Sequence, residues 1–145
     1  MIVIFYINLK WTTLSRLILI SFIIPSTTFG QGLSLDWAFH CPTRGQTTAT
    51  SIVLDQNENS YITGSFDSIV DFDPGPGTYN LSSNGLVDIF IQKIDSSGNL
   101  VWVYSFGSSG GDSGNSITID NQGDIYITGT FRGTIDFNPG IGISN

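Results

Sequence analysis

Aligned against itself, the chain of 145 residues has one dominant offset of 65, at which Trp37 falls on Trp102 and sixteen of forty-four consecutive positions agree without a gap. The aligned copies are 37–80 and 102–145. Ser51 matches Ser116, Ile52 matches Ile117, Asp55 matches Asp120, and Tyr61-Ile-Thr-Gly64 matches Tyr126-Ile-Thr-Gly129. Further on, Phe66 meets Phe131, Asp71-Phe72 meets Asp136-Phe137, and Pro74-Gly75 meets Pro139-Gly140. A fixed period of this kind marks stacked equivalent units, each of which buries its apolar faces only against its neighbours.

Within one period, apolar and polar residues alternate over five to seven positions, and Gly, Asn or Asp punctuates each gap. That pattern predicts four short β-strands, at 51–55, 61–66, 89–95 and 100–106. A longer excursion through Asp71-Phe-Asp-Pro-Gly75 and Tyr79-Asn-Leu-Ser82 separates the second from the third. In the fourth, Trp102, Tyr104 and Phe106 share one face and Val101 and Val103 the other, so both faces are expected to be covered. Four antiparallel strands per period, covered by neighbouring copies, are what a β-propeller blade requires. The fold class expected is therefore all-β, a propeller of four-stranded antiparallel blades, with about one and three-quarter blades in the repeat region 31–145. A lone strand at 33–41, equivalent to a fourth strand through Trp37, precedes the whole blade. Since roughly three or more stacked repeats are needed for stability, the missing blades of the same protein are an expected partner.

Residues 1–30 carry Lys10 and Arg16, then an apolar run from Leu17 to Ile24, then Pro25-Ser-Thr-Thr-Phe-Gly30. This order predicts a secretory signal peptide cleaved before Gln31, with no membrane span left afterwards. The apolar opening from Met1 to Ile7 leaves an uncleaved anchor as the alternative. After residue 30 only Arg44, Lys93 and Arg132 stand against all twelve acidic residues, a net charge of −9. Such a surface repels phosphate backbones and anionic lipid, so nucleic acid is not expected as a partner. His40 and Cys41 are the chain's only histidine and cysteine, which excludes an internal disulfide and a Cys/His zinc site.

These residues resemble the secreted bacterial β-propeller repeat proteins called SBBP repeats, common in Bacteroidetes-like bacteria. The resemblance rests on Ser116-Ile-Thr-Ile-Asp-Asn-Gln-Gly-Asp-Ile-Tyr-Ile-Thr-Gly-Thr-Phe131, on Asp71-Phe-Asp-Pro-Gly75, and on Asp88-Ile-Phe-Ile-Gln-Lys-Ile-Asp-Ser-Ser-Gly-Asn-Leu-Val-Trp102. It covers nearly everything after the leader and implies a fold and a secreted or cell-surface location, with no shared reaction. Relatives of that type would carry several more blades and often a C-terminal sorting domain.

Asp55-Gln-Asn-Glu-Asn, Asp95-Ser-Ser-Gly-Asn and Asp120-Asn-Gln-Gly-Asp share one design, an Asp at the strand end with Gly or Asn three to four positions on. A carboxylate there accepts hydrogen bonds from the turn's own backbone, so these read as hairpin turns. Asp71, Asp73 and the matching Asp136 are the best candidates for a metal site, specifically calcium, because oxygen ligands lie close in sequence beside Pro-Gly. The competing reading is a structural corner with Phe72 packed inward. His40 and Cys41 point to opposite faces of a strand and so cannot cooperate as base and nucleophile. Trp37, Trp102, Tyr61 and Tyr126 could stack on sugar rings, but their equal blade positions favour inter-blade core.

No catalytic residue and no other cofactor is assigned, and no unpaired acidic motif is seen outside the repeated turns. The function expected is an exported, non-catalytic scaffold binding an extracellular polysaccharide or surface protein. The alternatives are a propeller hydrolase or lyase acting on extracellular polymers, and a calcium-dependent adhesion module.

Overall fold

The computed structural model describes residues 45–137 throughout and, as backbone only, two further strands, β1 (Val3–Asn8) and β2 (Ser34–His40). Every described element is a strand. β3 (Thr47–Leu54), β4 (Ser60–Phe66), β7 (Asp88–Ile94) and β8 (Leu100–Phe106) form one antiparallel sheet in that order. This is the complete blade, with boundaries within a few residues of those read from the alternation. β9 (Ser113–Ile119) and β10 (Ile125–Thr130) pair as the first half of the next blade. Between β4 and β7 the excursion forms a small hairpin of β5 (Ile69–Asp71) and β6 (Asn80–Ser82).

The strand expected to stand alone has a neighbour: β2 pairs antiparallel with β1. β1 lies inside the stretch read as a leader, so cleavage before Gln31 would remove it and open an edge of β2. The apolar run and the cleavage site lie outside the described residues.

The two faces of the complete blade are buried by different means. On one, Ile62, Phe66, Phe90, Ile94 and Val103 pack against Val70 and Phe72 of the excursion. Phe72 is fully buried, edge-on to Phe66 at 5.3 Å between ring centroids and tilted against Phe90 at 5.0 Å. Below it, the Gln92 side-chain amide donates to the Phe72 carbonyl at 2.6 Å, which satisfies a buried polar pair. On the other face, Tyr61 and Ile91, flanked by Trp102 and Phe106, pack against Ile117, Ile119, Ile125 and Ile127 of the next blade. Neighbouring copies thus cover one face of this sheet, and its own excursion covers much of the other.

The expectation that the fourth strand is covered on both sides needs correction, because Val101 and Tyr104 of β8 stand about half-exposed. β8 is the sheet edge, whereas β9 leans on β3 and β4 and only lightly on β7. The half-blade reaches β8 at Phe106, whose ring lies 6.4 Å from that of Phe137, and leaves Tyr104 open, while Val101 stands where the pairing of β8 with β7 breaks register.

The period is written into the backbone as well as the sequence. Glu58 (φ 62°) and Gly123 (φ 91°) occupy one blade position, and Ser68 (φ 59°) and Gly133 (φ 81°) occupy another. A side chain at positive φ meets its own carbonyl, a cost glycine escapes. Glu58→Gly is therefore expected to stabilise the fold by about 0.5–1 kcal/mol, the relief of strain exceeding the extra entropy of glycine in the unfolded chain. Gly123→Ala should act in the opposite sense, and chemical denaturation of the two variants measures both signs.

Candidate functional site

All three aspartate turns lie at one end of the blades, and each has the same internal wiring. Asp55 Oδ1 accepts the Asn57 and Asn59 amides at 2.8 and 3.0 Å, and Asp120 Oδ1 accepts those of Gln122 and Asp124, both at 2.9 Å. Asp95 does the same for Ser97 and Asn99. The Tyr61 and Tyr126 hydroxyls donate to Asp55 and Asp120 at 3.2 and 3.1 Å, so the repeated tyrosine links strand to turn. Lys93 adds a 3.9 Å ion pair to Asp55 and lies over the Tyr61 ring at 4.9 Å. The turn reading of these motifs holds in every hydrogen bond.

This wiring sets the charge state of the loops. Burial pulls the Asp55 carboxyl upward, but the Asn59 side chain, the Asn59 and Asn57 amides and the Tyr61 hydroxyl outweigh it and hold Asp55 below the ordinary value of 3.8. The Asn99 amide and side chain hold Asp95 low, and the Asp124 amide leads the same effect at Asp120. A carboxylate that is lower in the folded than in the unfolded state contributes stability above the unfolded value and loses it as pH falls through the folded one. Melting temperature is therefore expected to fall as pH drops below 3.8, and replacing all three aspartates with asparagine should flatten that acid limb. An acid limb unchanged in the triple variant would place its origin elsewhere.

Between the first turn of the complete blade and the first turn of the next lies an open polar cleft of about 280 Å³. Asp55 and Asp120 form its rigid walls, and exposed amide side chains of Gln56, Asn57, Asn121 and Gln122 line its mouth. Each amide carries both a donor and an acceptor. Chemically the cleft can bind a neutral, hydroxyl-rich or amide-rich group, or a cation.

The candidate calcium ligands are placed differently. Asp71 Oδ1 accepts the Asp73 and Tyr79 amides at 3.0 and 2.8 Å, and Asp73 Oδ1 accepts the Gly75 amide at 2.8 Å. These bonds build the corner that turns Phe72 inward. Asp136 sits exposed in the next blade, and among the described residues no three His, Cys, Asp or Glu side chains gather closely enough to hold a metal ion.

Of the aromatics, Tyr61 is inter-blade core, edge-on to Trp102 at 6.0 Å, whereas Tyr126 is exposed. Trp37 and His40 fall on β2, described as backbone only, and Cys41 lies outside the described residues.

At the opposite end of the blades the structure brings together two aspartates, Asp88 and Asp112, that the sequence reading did not single out. Asp112 accepts the Ser108 and Arg132 amides at 2.7 Å each and the Ser108 hydroxyl at 3.1 Å. Asp88 accepts the Asn84 amide at 2.9 Å through one oxygen, and its other oxygen, Oδ1, is buried with no hydrogen-bond partner. Burial raises the Asp88 carboxyl, the Asn84 amide opposes this, and the Asp112 charge adds to the rise. Both residues are almost wholly buried, so they fasten the loops that join the blades and are closed to a substrate. Single acids at strand edges, outside any repeated motif, gave no signal of this meeting.

Fold and repeat together define a repeat, propeller-like protein. The chain is similar to an uncharacterised WD repeat-containing protein of Acanthamoeba polyphaga mimivirus, 26% identical over 119 residues. That match takes in 70% of this chain and 9% of the viral protein, so the chain spans about a tenth of that relative. WD repeats build propeller blades of four antiparallel strands, in keeping with the blade described. No family model matches the chain, and no solved structure does.

Proposed function

We propose that this chain is part of an exported, non-catalytic β-propeller scaffold that binds an extracellular polysaccharide or surface protein through its blade turns. The observation that supports this most is the polar cleft between the Asp55 and Asp120 turns, where exposed amides stand on loops already fixed by carboxylate hydrogen bonds. A preorganised loop loses little entropy when it binds, which is how modest polar contacts become useful affinity. The paucity of cations after the leader favours a neutral or cationic partner over an anionic one.

The test is a binding screen of the full chain against glycans and bacterial surface proteins, repeated with Asn57→Ala and Gln122→Ala together. A partner whose affinity falls at least about tenfold, a change of about 1.4 kcal/mol, with the melting temperature unchanged, supports the reading. Binding that survives both substitutions removes the cleft from the account. Export is tested separately: N-terminal sequencing of the protein recovered outside the cytoplasm should begin at Gln31.

A further inference from the structure

We propose that Asn84 is a site of spontaneous covalent modification, in which its side-chain amide is lost as ammonia through a ring closed by the Gly85 nitrogen, and that the change releases the loop clasp around Asp88. The site lies at the end of the blades opposite the polar cleft and is independent of ligand binding there.

Asn84-Gly85 is the only Asn-Gly pair in the chain. Asparagine is a chemically labile residue, because the main-chain nitrogen that follows it can close a ring on its side-chain Cγ. A side chain on the following residue crowds that attack, and a hydrogen bond to the following amide restrains it. Other asparagines of the described residues are guarded in these ways. Glu58, after Asn57, donates its amide to the Asp55 carbonyl at 3.1 Å, and Gln122, after Asn121, donates to Asp120 Oδ1 at 2.9 Å. Asn59, Asn80, Asn99 and Asn115 are each followed by a residue of a paired strand. Gly85 has no side chain and stands in an exposed bend, and its amide enters no hydrogen bond among the described residues.

Packing keeps the glycine in place. A Cβ at Gly85 would stand 2.5 Å from the Ser109 carbonyl carbon and oxygen and 2.6 Å from the Ser108 carbonyl oxygen, so a larger residue there would have to displace backbone. The fold therefore retains the labile pair.

The reaction balances with water alone. The Gly85 nitrogen gives its proton to a solvent base and bonds to Asn84 Cγ, the Cγ–Nδ2 bond breaks, and Nδ2 takes up a proton and leaves as ammonia. Water then opens the resulting succinimide at either of its carbonyls. Addition at Cγ breaks the new bond and leaves an aspartate. Addition at the main-chain carbonyl breaks the original peptide bond and leaves isoaspartate, whose backbone runs through an additional methylene. Because the glycine nitrogen must first lose its proton, the rate rises with pH.

The geometry gives the change a consequence. The Asn84 main-chain amide donates to Asp88 Oδ2 at 2.9 Å, while the other Asp88 oxygen is buried without a partner, and Asn84 Nδ2 donates to the Gly107 carbonyl at 3.5 Å. Just beyond the bend, the Leu86 amide donates to the Gly110 carbonyl at 3.2 Å, and the Val87 carbonyl accepts the Asp112 amide at 2.8 Å. The bend is thus tied to Asp88 on one side and to the connection between β8 and β9 on the other. A methylene inserted between Asn84 and Gly85 lengthens this short span, so both ties cannot keep their present lengths. The new carboxylate also sets an acceptor against the Gly107 carbonyl and brings a further negative charge to the side of Asp88 and Asp112.

The experiment is to age the full chain at mildly acidic and mildly alkaline pH and follow each asparagine by peptide mapping and mass spectrometry. Asn84 is expected to convert at least about tenfold faster than Asn57, Asn99 or Asn121, and faster at the higher pH. The product should be a mixture of aspartate and isoaspartate, the latter read by methyl transfer from an isoaspartyl carboxyl methyltransferase. Aged wild type should melt lower than fresh protein. Asn84→Gln, whose longer side chain closes a larger ring, should neither convert nor lose melting temperature on ageing. A native-state rate more than about tenfold below that of the urea-unfolded chain would overturn the proposal, since the fold would then shield the Gly85 nitrogen. Aspartate formed without isoaspartate would overturn the route through Gly85, and an unchanged melting temperature of the converted protein would overturn the release of the clasp. If Asn84→Gln fails to fold, the comparison of native with unfolded wild type decides alone.

Discussion

Phe72→Ala is expected to cost about 3–5 kcal/mol of folding stability, the range for removing a fully buried aromatic side chain whose site cannot collapse. Phe72 has no exposed surface and touches Phe66 on one strand and Phe90 on another. Its backbone is pinned on both sides, by the Gln92 amide on its carbonyl and by its own amide donating to the Tyr79 carbonyl at 2.9 Å. The excursion therefore cannot slide in to fill the void. Phe72→Leu keeps most of the volume and should lose less than about 1.5 kcal/mol. Urea denaturation of the two variants separates the cases. Equal, small losses would mean that the excursion lies over the sheet without holding it, and the corner formed by Asp71 and Asp73 would then need a purpose other than delivering this ring.

Gly64→Ala should destabilise by about 2–4 kcal/mol, more than a methyl group usually costs inside a sheet. A Cβ at Gly64 would stand 1.9 Å from the Thr48 carbonyl oxygen and 2.9 Å from the Ala49 Cα, so backbone would have to move. The cause is a bulge, for the register of β3 on β4 shifts between Ala49 and Ser51. An extra residue kinks one strand toward its partner. The same shift recurs in the next blade between Thr128 and Gly129, where a Cβ would meet the Ser113 carbonyl at 2.3 Å. Gly129→Ala should cost less than Gly64→Ala, since among the described residues β10 pairs with β9 alone, whereas β4 is held between β3 and β7. Thermal melts of both variants check the order; a Gly64→Ala protein within about 1 kcal/mol of wild type would mean the strands approach less closely than described.

These two positions mark how far the chain could be read before its structure was described. The block Tyr-Ile-Thr-Gly was visible as a repeat, yet nothing in it announced that its glycine faces a bulge, because a bulge is a property of two paired strands. The excursion was legible as a turn-rich corner with Phe72 inward, and Pro-Gly and the flanking aspartates suffice for that. Which surface received Phe72 was not legible. Asp71, Asp73 and Asp136 drew notice as oxygen-rich neighbours in sequence, but the oxygens of Asp71 and Asp73 accept backbone amides of their own corner. Asp88 and Asp112, 24 residues apart, drew none.

The sequence by itself determined what depends on short range and on periodicity. That covers the four strands of the blade sheet, three hairpin turns built on aspartate, and equivalent roles for equivalent positions, though not the short β5–β6 hairpin of the excursion. Alternation fixes strand faces, and a carboxylate two residues from an amide needs no distant partner to form its turn. Only the tertiary structure decided which faces are covered and by what. The excursion seals Phe66 and Phe90. β9 reaches Tyr61 but not Tyr104. Ile52 and Tyr126 remain open while their repeats are closed. Burial depends on what lies across the gap, and a residue's own sequence neighbours carry no record of that.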